Sequence, residues 1–251
     1  MLKKYLLLTF SITFLCWGVV AVYTQVRAIP FGSSIFLLIL YLLGVLGPAI
    51  ASVTIKKRFA SKNDYIKFLK NCYRPPKNTT WYLFILTIVL AASLLPYFIV
   101  GGNQVAPIQM ILLSLPLFIL IGGLEEIGWR GFMLPELTKL MPSHTSTLLV
   151  GIVWLVWHLP LFFIIGTYQH EHLNIFAFTV TVISLSFLLS TVYFKTNSIF
   201  LCIITHALYN SVLDVFIIVQ SLFGEIVVFA FALFIFILFT TYRNKMVANN
   251  N

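Results

Sequence analysis

Long apolar runs separated by short polar segments make up most of the chain. A helix needs about 20 apolar residues to cross the hydrocarbon core of a bilayer, and about eight runs approach that length. We expect transmembrane helices over about residues 5–24, 34–55, 80–100, 107–127, 146–166, 173–194, 198–219 and 223–242. The pattern therefore predicts an all-α, polytopic membrane helix bundle that forms a single domain over residues 1–251.

The amino-acid composition supports the same class. Hydrophobic residues make up 60% of the chain and charged residues only 9%, whereas a soluble domain carries far more charge. The net charge of +9 would by itself be compatible with nucleic-acid binding. However, the basic residues lie between the apolar runs rather than on one polar face, so we expect no nucleic-acid partner.

The distribution of basic residues predicts the orientation in the membrane. Lys and Arg collect in the short loops on the cytoplasmic side of membrane proteins. If the N-terminus is cytoplasmic and every predicted helix crosses, Arg27 is alone among the 16 Lys and Arg residues in lying outside. We therefore expect both termini to be cytoplasmic in a multi-pass protein of the plasma membrane.

The basic segment 56–78 lies between the second and third predicted spans. Phe59, Ile66, Leu69 and Tyr73 follow approximately helical spacing there, with lysines between them. This pattern is compatible with an amphipathic helix lying on a bilayer that contains anionic headgroups. The alternative is an irregular basic loop, because the period is imperfect.

Ionisable side chains inside a membrane are energetically costly and are commonly functional. We take as candidates a small set of such groups within or directly after the predicted spans, together with the amide of Asn210. These residues are Glu125, Glu126, Arg130, His158, His206, Asp214 and Asn210.

The fourth span ends in two adjacent carboxylates. Glu126 and Arg130 are four residues apart and share a helix face, which favours an ion pair. Glu125 points about 100° away, so we expect it to face a cavity. Alternatively, all three side chains form a charged helix end that reaches the interface.

The fifth and seventh spans supply the remaining groups. Pro160 follows His158 and should open a kink where polar groups can gather. His206 and Asn210 are four apart and point to one side of their helix. With Asp214 kept as a supporting or structural residue, we expect Glu125, His158, His206 and Asn210 to meet in a cavity open to the cytoplasm.

These residue types are compatible with two hydrolytic chemistries. A carboxylate and an imidazole can activate a water, while a second imidazole and an amide stabilise the oxyanion. Alternatively, Glu125, His158 and His206 could hold a divalent metal such as zinc, with a water in the open position. The residues leave the need for a metal cofactor open, although neither a GxSxG nor an HExxH motif is present.

Three motifs on separate spans resemble those of the CAAX protease and bacteriocin-processing (CPBP, or Abi) family of intramembrane proteases. "EEIGWRGFMLPEL" resembles the EExxxR motif, "WLVWH" the FxxxH motif and "HALYN" the HxxxN motif. All three lie in the same order, within a catalytic core that we place at about residues 107–219. One departure is visible, because Trp154 stands where the family has phenylalanine.

The resemblance implies a cytoplasm-facing catalytic chamber and a role for each matched residue. Glu125 and His158 would activate water, His206 and Asn210 would stabilise the oxyanion, and Glu126 with Arg130 would support the motif helix. The substrate would be a peptide or a membrane-associated protein. A non-catalytic bacteriocin-immunity or membrane partner protein on the same fold is the main alternative. A transporter is the second, although we find no inverted repeat.

Overall fold

The computed structural model describes residues 1–172, 174–218 and 222–248, and it describes their side chains except for Leu222 and 241–248. Helices account for most of these residues, and two short strands complete the structure. The helices are α1 Leu2–Arg27, α2 Ile35–Val45, α3 Gly47–Phe59, α4 Lys62–Tyr73, α5 Thr80–Val100, α6 Met110–Ile121, α7 Glu126–Gly128, α8 Leu134–Leu137, α9 Ser143–His158, α10 Tyr168–His172, α11 Ile175–Thr196, α12 Ile199–Val215 and α13 Leu222–Ala248. The strands are β1 Gly102–Gln104 and β2 Phe216–Ile218.

The predicted all-α polytopic bundle is confirmed, and every predicted span overlaps a helical segment. In the described part of the chain, six segments are long and apolar enough to cross a membrane. They are Leu2–Arg27, Thr80–Val100, Met110–Leu137, Ser143–Phe163, Ile175–Thr196 and Phe223–Thr240. The pair α2 and α3 gives a seventh if it is one span, although it is bent by 53°. Residues 173 and 219, at the ends of two predicted spans, lie outside the described residues.

The remaining predicted span, 198–219, is shorter in the structure than its apolar run suggested. Helix α12 has 17 residues, or about 25 Å of helix, and ends at Val215 where β2 begins. Most of its residues are buried against other helices, including α5, α6 and α11. Because neighbouring helices surround α12, its apolar residues contact protein. By length and composition, the described residues contain six or seven spans, whereas about eight were predicted.

Segment 56–78 contains a helix, as one of the two interpretations predicted. The Ser61 side chain caps α4 by accepting a hydrogen bond from the backbone N–H of Asp64 at 3.1 Å. Ile66 and Tyr73 remain exposed, as the amphipathic pattern requires. Phe68, which lies outside that pattern, is buried against Ile199 and attaches α4 to the start of α12.

An antiparallel pairing of β1 with β2 was not predicted. Gly102 pairs with Ile218 and Gln104 with Phe216, so the loop after α5 is joined to the end of α12. The strands have three residues each, too few to produce a period-two pattern in the sequence. The ribbon therefore holds the end of α12 opposite to the end that α4 contacts.

Buried aromatic residues connect α1 with the helices that carry the site. Trp17 and Trp157 are fully buried, with ring centroids 4.6 Å apart. Trp157 Nε1 donates to Thr13 Oγ1 at 2.7 Å, and Trp17 Nε1 donates to the carbonyl of Tyr41 at 2.9 Å. Each buried indole N–H has an acceptor, as burial requires.

Candidate functional site

The helix that carries the two adjacent glutamates is irregular. Helix α6 ends at Ile121, and a 3-10 turn, Gly123–Glu125, precedes the short α7. A π-helical turn, Trp129–Met133, then leads into α8. Such turns are often found at functional sites because they change the direction of side chains within a helix. The sequence analysis placed the end of the fourth span at about residue 127 and assumed regular helical spacing from Glu125 to Arg130, so it did not predict the 3-10 and π-helical turns.

The predicted ion pair between Glu126 and Arg130 is present and fully buried. Arg130 Nη1 donates to Glu126 Oε1 at 3.1 Å and lies 3.0 Å from Oε2. Arg130 Nη2 donates to the carbonyl of Ser186 on α11 at 3.2 Å. Both charged side chains are 0% exposed, so the alternative of a charged helix end at the interface is wrong.

Glu126 has a second partner that the sequence analysis missed. His206 Nδ1 lies 2.9 Å from Glu126 Oε1. A carboxylate accepts hydrogen bonds, so Nδ1 carries the hydrogen and donates it. This contact joins α7 to α12 across 80 residues of sequence, and neither helical spacing nor composition could have indicated it.

Glu125 lines a cavity, as predicted, but its carboxylate is not free of partners. Trp154 Nε1 donates to Glu125 Oε2 at 2.8 Å, and Trp129 Nε1 lies 3.4 Å from the same oxygen. Glu125 is 3% exposed. Because phenylalanine has no N–H, the replacement of the family's phenylalanine by Trp154 adds a hydrogen-bond donor directly to this carboxylate.

His158 is the last residue of α9. The chain continues as a 3-10 turn, Leu159–Phe163, so the predicted kink near Pro160 is present as a change of helix type. His158 Nδ1 lies 2.9 Å from the carbonyl of Trp154, and since a carbonyl only accepts, Nδ1 carries the hydrogen. In the neutral ring, Nε2 is then an acceptor.

His206 and Asn210 meet at Gly122, the residue that ends α6. A Cβ built on Gly122 would stand 2.7 Å from Asn210 Nδ2 and 3.2 Å from His206 Nε2. Both nitrogens therefore approach one small volume next to the backbone of Gly122. The sequence analysis did not identify Gly122, although its position three residues before Glu125 placed it next to a candidate site residue.

One cavity joins the predicted residues. It has a volume of about 470 Å³, and Glu125, His158, His206 and Asn210 all line it. The structure thus brings together the residues that we expected to meet. Trp154 contacts both imidazoles, with ring-centroid distances of 5.5 Å to His158 and 5.3 Å to His206.

Two further carboxylates line the same cavity. Asp214 is exposed, and Glu225 Oε2 accepts a hydrogen bond from Thr181 Oγ1 at 2.8 Å. Glu225 was missed by the sequence analysis, although an acidic residue inside the eighth predicted span was a clear signal.

The residues do not form a metal site in this arrangement. Within the described ranges, no three His, Cys, Asp or Glu residues stand close enough together to hold a metal ion. In this arrangement Glu125, His158 and His206 therefore do not stand close enough together to hold one metal ion.

A model of the "Type II CAAX prenyl endopeptidase Rce1-like" family matches residues 78–212, which include all three motifs. The chain belongs to this family. It is 29% identical over 228 residues to "CAAX prenyl protease 2" of Methanococcus maripaludis, and the alignment covers 83% of this chain and 82% of the relative. The resemblance found in the motifs is confirmed, and the protein is a peptidase of the CAAX-protease type with several membrane spans.

Proposed function

We propose that the protein hydrolyses a peptide bond with a water activated by Glu125 and His158, while His206 and Asn210 stabilise the oxyanion. One observation carries this proposal. All four side chains line one cavity, and the nitrogens of His206 and Asn210 approach the same point beside Gly122. The first pair can accept protons from water and the second pair can donate to a developing negative charge.

Activation of water uses the second carboxylate oxygen of Glu125 and the Nε2 atom of His158. The indole N–H groups lie against Oε2 of Glu125, which leaves Oε1 for a water. His158 Nε2 can orient that water, because its Nδ1–H is bound to the carbonyl of Trp154. The water gives its proton to Glu125 as its oxygen attacks the peptide carbonyl carbon, and Glu125 then protonates the departing amine.

Stabilisation of the oxyanion depends on the protonation of His206. Its Nδ1–H donates to Glu126, so a second donation through Nε2 needs an imidazolium. The buried carboxylate of Glu126 stabilises that cation by direct contact. Glu126 thereby orients the His206 ring, in addition to its ion pair with Arg130.

The substrate that best fits the cavity is a peptide attached to the membrane by an apolar group. Phe178, Leu185 and Val228 give the cavity apolar walls next to its polar groups, and Phe178 contacts the His158 ring with centroids 5.2 Å apart. The relative from Methanococcus maripaludis is named "CAAX prenyl protease 2". We propose that the substrate is a lipid-modified peptide of this type and that it is cleaved near the cytoplasmic leaflet of the plasma membrane. The catalytic core would comprise about residues 107–219 of a single membrane domain, residues 1–251.

The test is cleavage of farnesylated and unmodified CAAX-type peptides by the purified protein in lipid vesicles. Glu125→Gln should abolish turnover, because it removes the proton acceptor and changes little volume. His206→Ala and Asn210→Ala should each lower kcat by about 10²–10³-fold with a small change in KM, as loss of an oxyanion donor does. Asn103→Ala, on exposed β1, is the matched control and should retain full activity.

Full activity of Glu125→Gln would refute the mechanism. An effect of His206→Ala on KM alone would contradict the oxyanion role. Loss of activity on chelation, with recovery on addition of zinc, would replace the direct water mechanism by one that uses a metal.

A further inference from the structure

A second cavity lies at the N-terminal end of α12 and shares no lining residue with the cavity of the proposed active site. It has a volume of about 390 Å³ and lies between the end of α4, the loop that follows it and the turn that joins α11 to α12. Its lining includes Lys70, Arg74 and Lys77 and contains no acidic residue. We call it the basic cleft.

The three cations of the basic cleft are not neutralised by the protein. Throughout the described ranges, no Asp or Glu forms an ion pair with Lys70, Arg74 or Lys77. All three side chains are exposed. A group of unpaired cations around a concave surface attracts an anion, and Arg with Lys is the usual combination for phosphate.

The floor of the basic cleft is fixed by hydrogen bonds. Asn71 Nδ2 donates to the carbonyl of Asn197 at 2.9 Å, and the backbone N–H of Ile199 donates to Asn71 Oδ1 at 3.3 Å. Asn197 has a positive φ of 50°, which forms the tight turn between α11 and α12. The cleft is therefore a built concavity rather than a gap between mobile loops.

The position of the basic cleft points to a lipid as the source of the anion. Helix α5 begins at Thr80, α11 ends at Thr196 and α12 begins at Ile199, so the cleft lies beside the ends of three apolar helices. We expect the lipid headgroups at such helix ends. On α4, the exposed Ile66 and Tyr73 share a face with Lys70. An apolar surface beside the cations suits a molecule that carries both acyl chains and a phosphate.

We propose that the basic cleft binds the phosphate of an anionic phospholipid. The bound lipid contacts α4 and the α11–α12 turn at once and so holds α4 against the start of α12. Helix α12 carries His206 and Asn210, so the lipid also supports the geometry of these residues. This last effect rests on the proposed function, whereas binding of the lipid does not.

The test measures binding of phosphatidylglycerol to the full-length protein in detergent by native mass spectrometry. The cleft variant is Lys70→Gln/Arg74→Gln/Lys77→Gln. The matched control, Lys57→Gln/Lys62→Gln/Lys67→Gln, removes the same charge from exposed positions outside the cleft. We expect the wild type and the control to retain the lipid, and the cleft variant to bind it at least about tenfold more weakly.

Equal weakening in both triple variants would overturn the proposal, since it would indicate only a diffuse basic surface. Retention of the lipid by the cleft variant would also overturn it. Displacement of the lipid by millimolar inorganic phosphate would identify a site for free phosphate instead. If the triple variant does not fold, the single variants Arg74→Gln and Lys77→Gln replace it, and each should bind phosphatidylglycerol more weakly than the wild type.

A second arm separates binding from catalysis. Phosphatidylglycerol should bind equally well to Glu125→Gln, which tests the cleft even if the proposed mechanism fails. In vesicles, phosphatidylglycerol should accelerate peptide cleavage by the wild type and the control but not by the cleft variant. Equal rates in phosphatidylcholine vesicles with and without phosphatidylglycerol would refute the link between the lipid and α12.

Discussion

At the scale of single residues, the hydrogen bonds of Glu125 are unusual for a proposed proton acceptor. Trp154 Nε1 lies 2.8 Å from Oε2 and Trp129 Nε1 lies 3.4 Å from it. Two neutral donors on one oxygen fix the plane of the carboxylate and direct the other oxygen into the cavity. The indole of Trp154 thus does more than fill the volume that phenylalanine fills in the family's motif.

Trp154→Phe tests this role of the indole N–H. The aromatic ring is retained, so we expect the fold to persist while kcat falls by roughly tenfold, the value of one hydrogen bond to a charged group. Steady-state kinetics on the lipid-modified peptide measures the change. Trp129→Phe is the matched variant and should have a smaller effect, because its N–H is farther away. A larger effect of Trp129→Phe would contradict the assignment.

Gly122→Ala tests the meeting point of the proposed oxyanion donors. The new Cβ would lie 2.7 Å from Asn210 Nδ2, closer than van der Waals contact allows, so the donor must move or the substrate carbonyl is blocked. We expect kcat/KM to fall by about 10²-fold or more, the scale of losing a donor. Gly18→Ala, which meets nothing within 4 Å, is the control. Activity equal to that of the control would place the oxyanion elsewhere.

At the scale of secondary-structure elements, buried polar contacts connect the motif helices. Glu126 on α7 binds Arg130 in the π-helical turn and His206 on α12, and Arg130 binds the backbone of α11. A buried charge that loses its partner is strongly destabilising. The EExxxR motif therefore joins the helices to one another and also contacts a proposed catalytic residue, His206.

Glu126→Gln should affect both stability and turnover. The change leaves Arg130 as an unpaired buried charge, so we expect the free energy of unfolding in detergent to fall by about 3 kcal/mol or more. It also removes the charge that stabilises the His206 imidazolium, so kcat should fall. The measurements are thermal unfolding and peptide cleavage.

The double variant Glu126→Gln/Arg130→Met separates the two effects. Removal of the unpaired guanidinium should recover part of the stability without recovering activity. Recovery of both would mean that Glu126 has only a structural role.

The sequence predicts helices well here and contacts between helices less well. Apolar runs indicated the helical segments, and four-residue spacing indicated the Glu126–Arg130 pair and the shared face of His206 and Asn210. The contact between Glu126 and His206 depends on how α7 packs against α12, which no local period encodes. The early end of α12 at Val215 was hidden because the apolar run continues into β2.

At the scale of the whole molecule, one cavity within an apolar helix bundle is lined by several carboxylates. Glu125, Asp214 and Glu225 all line the same cavity as the two imidazoles. The sequence analysis identified Glu125, His158, His206 and Asn210. It missed Gly122, which contributes backbone, and Trp129, which appears as an ordinary apolar residue. Glu225 was missed because hydropathy averaged over a span conceals one acidic residue.

The predicted orientation can be tested by cysteine labelling. Lys67→Cys on α4 and Gln104→Cys on β1 are exposed and lie at opposite ends of α5. A membrane-impermeant maleimide should label Gln104→Cys in intact cells and Lys67→Cys only in inverted vesicles, because basic loops stay in the cytoplasm. Burial raises the pKa of the native Cys72 thiol to about 12, so background labelling there should be slow. The reverse labelling pattern would contradict the orientation.

Helix α12 is held at both ends. Asn71 binds its first turn, and the β1–β2 ribbon, continued by the hydrogen bond from the N–H of Val105 to the carbonyl of Val215, binds its last. A helix that is restrained at both ends is not displaced as negative charge develops on the oxygen of a bound substrate carbonyl. Its donors are then preorganised, and little reorganisation energy is added to the activation barrier.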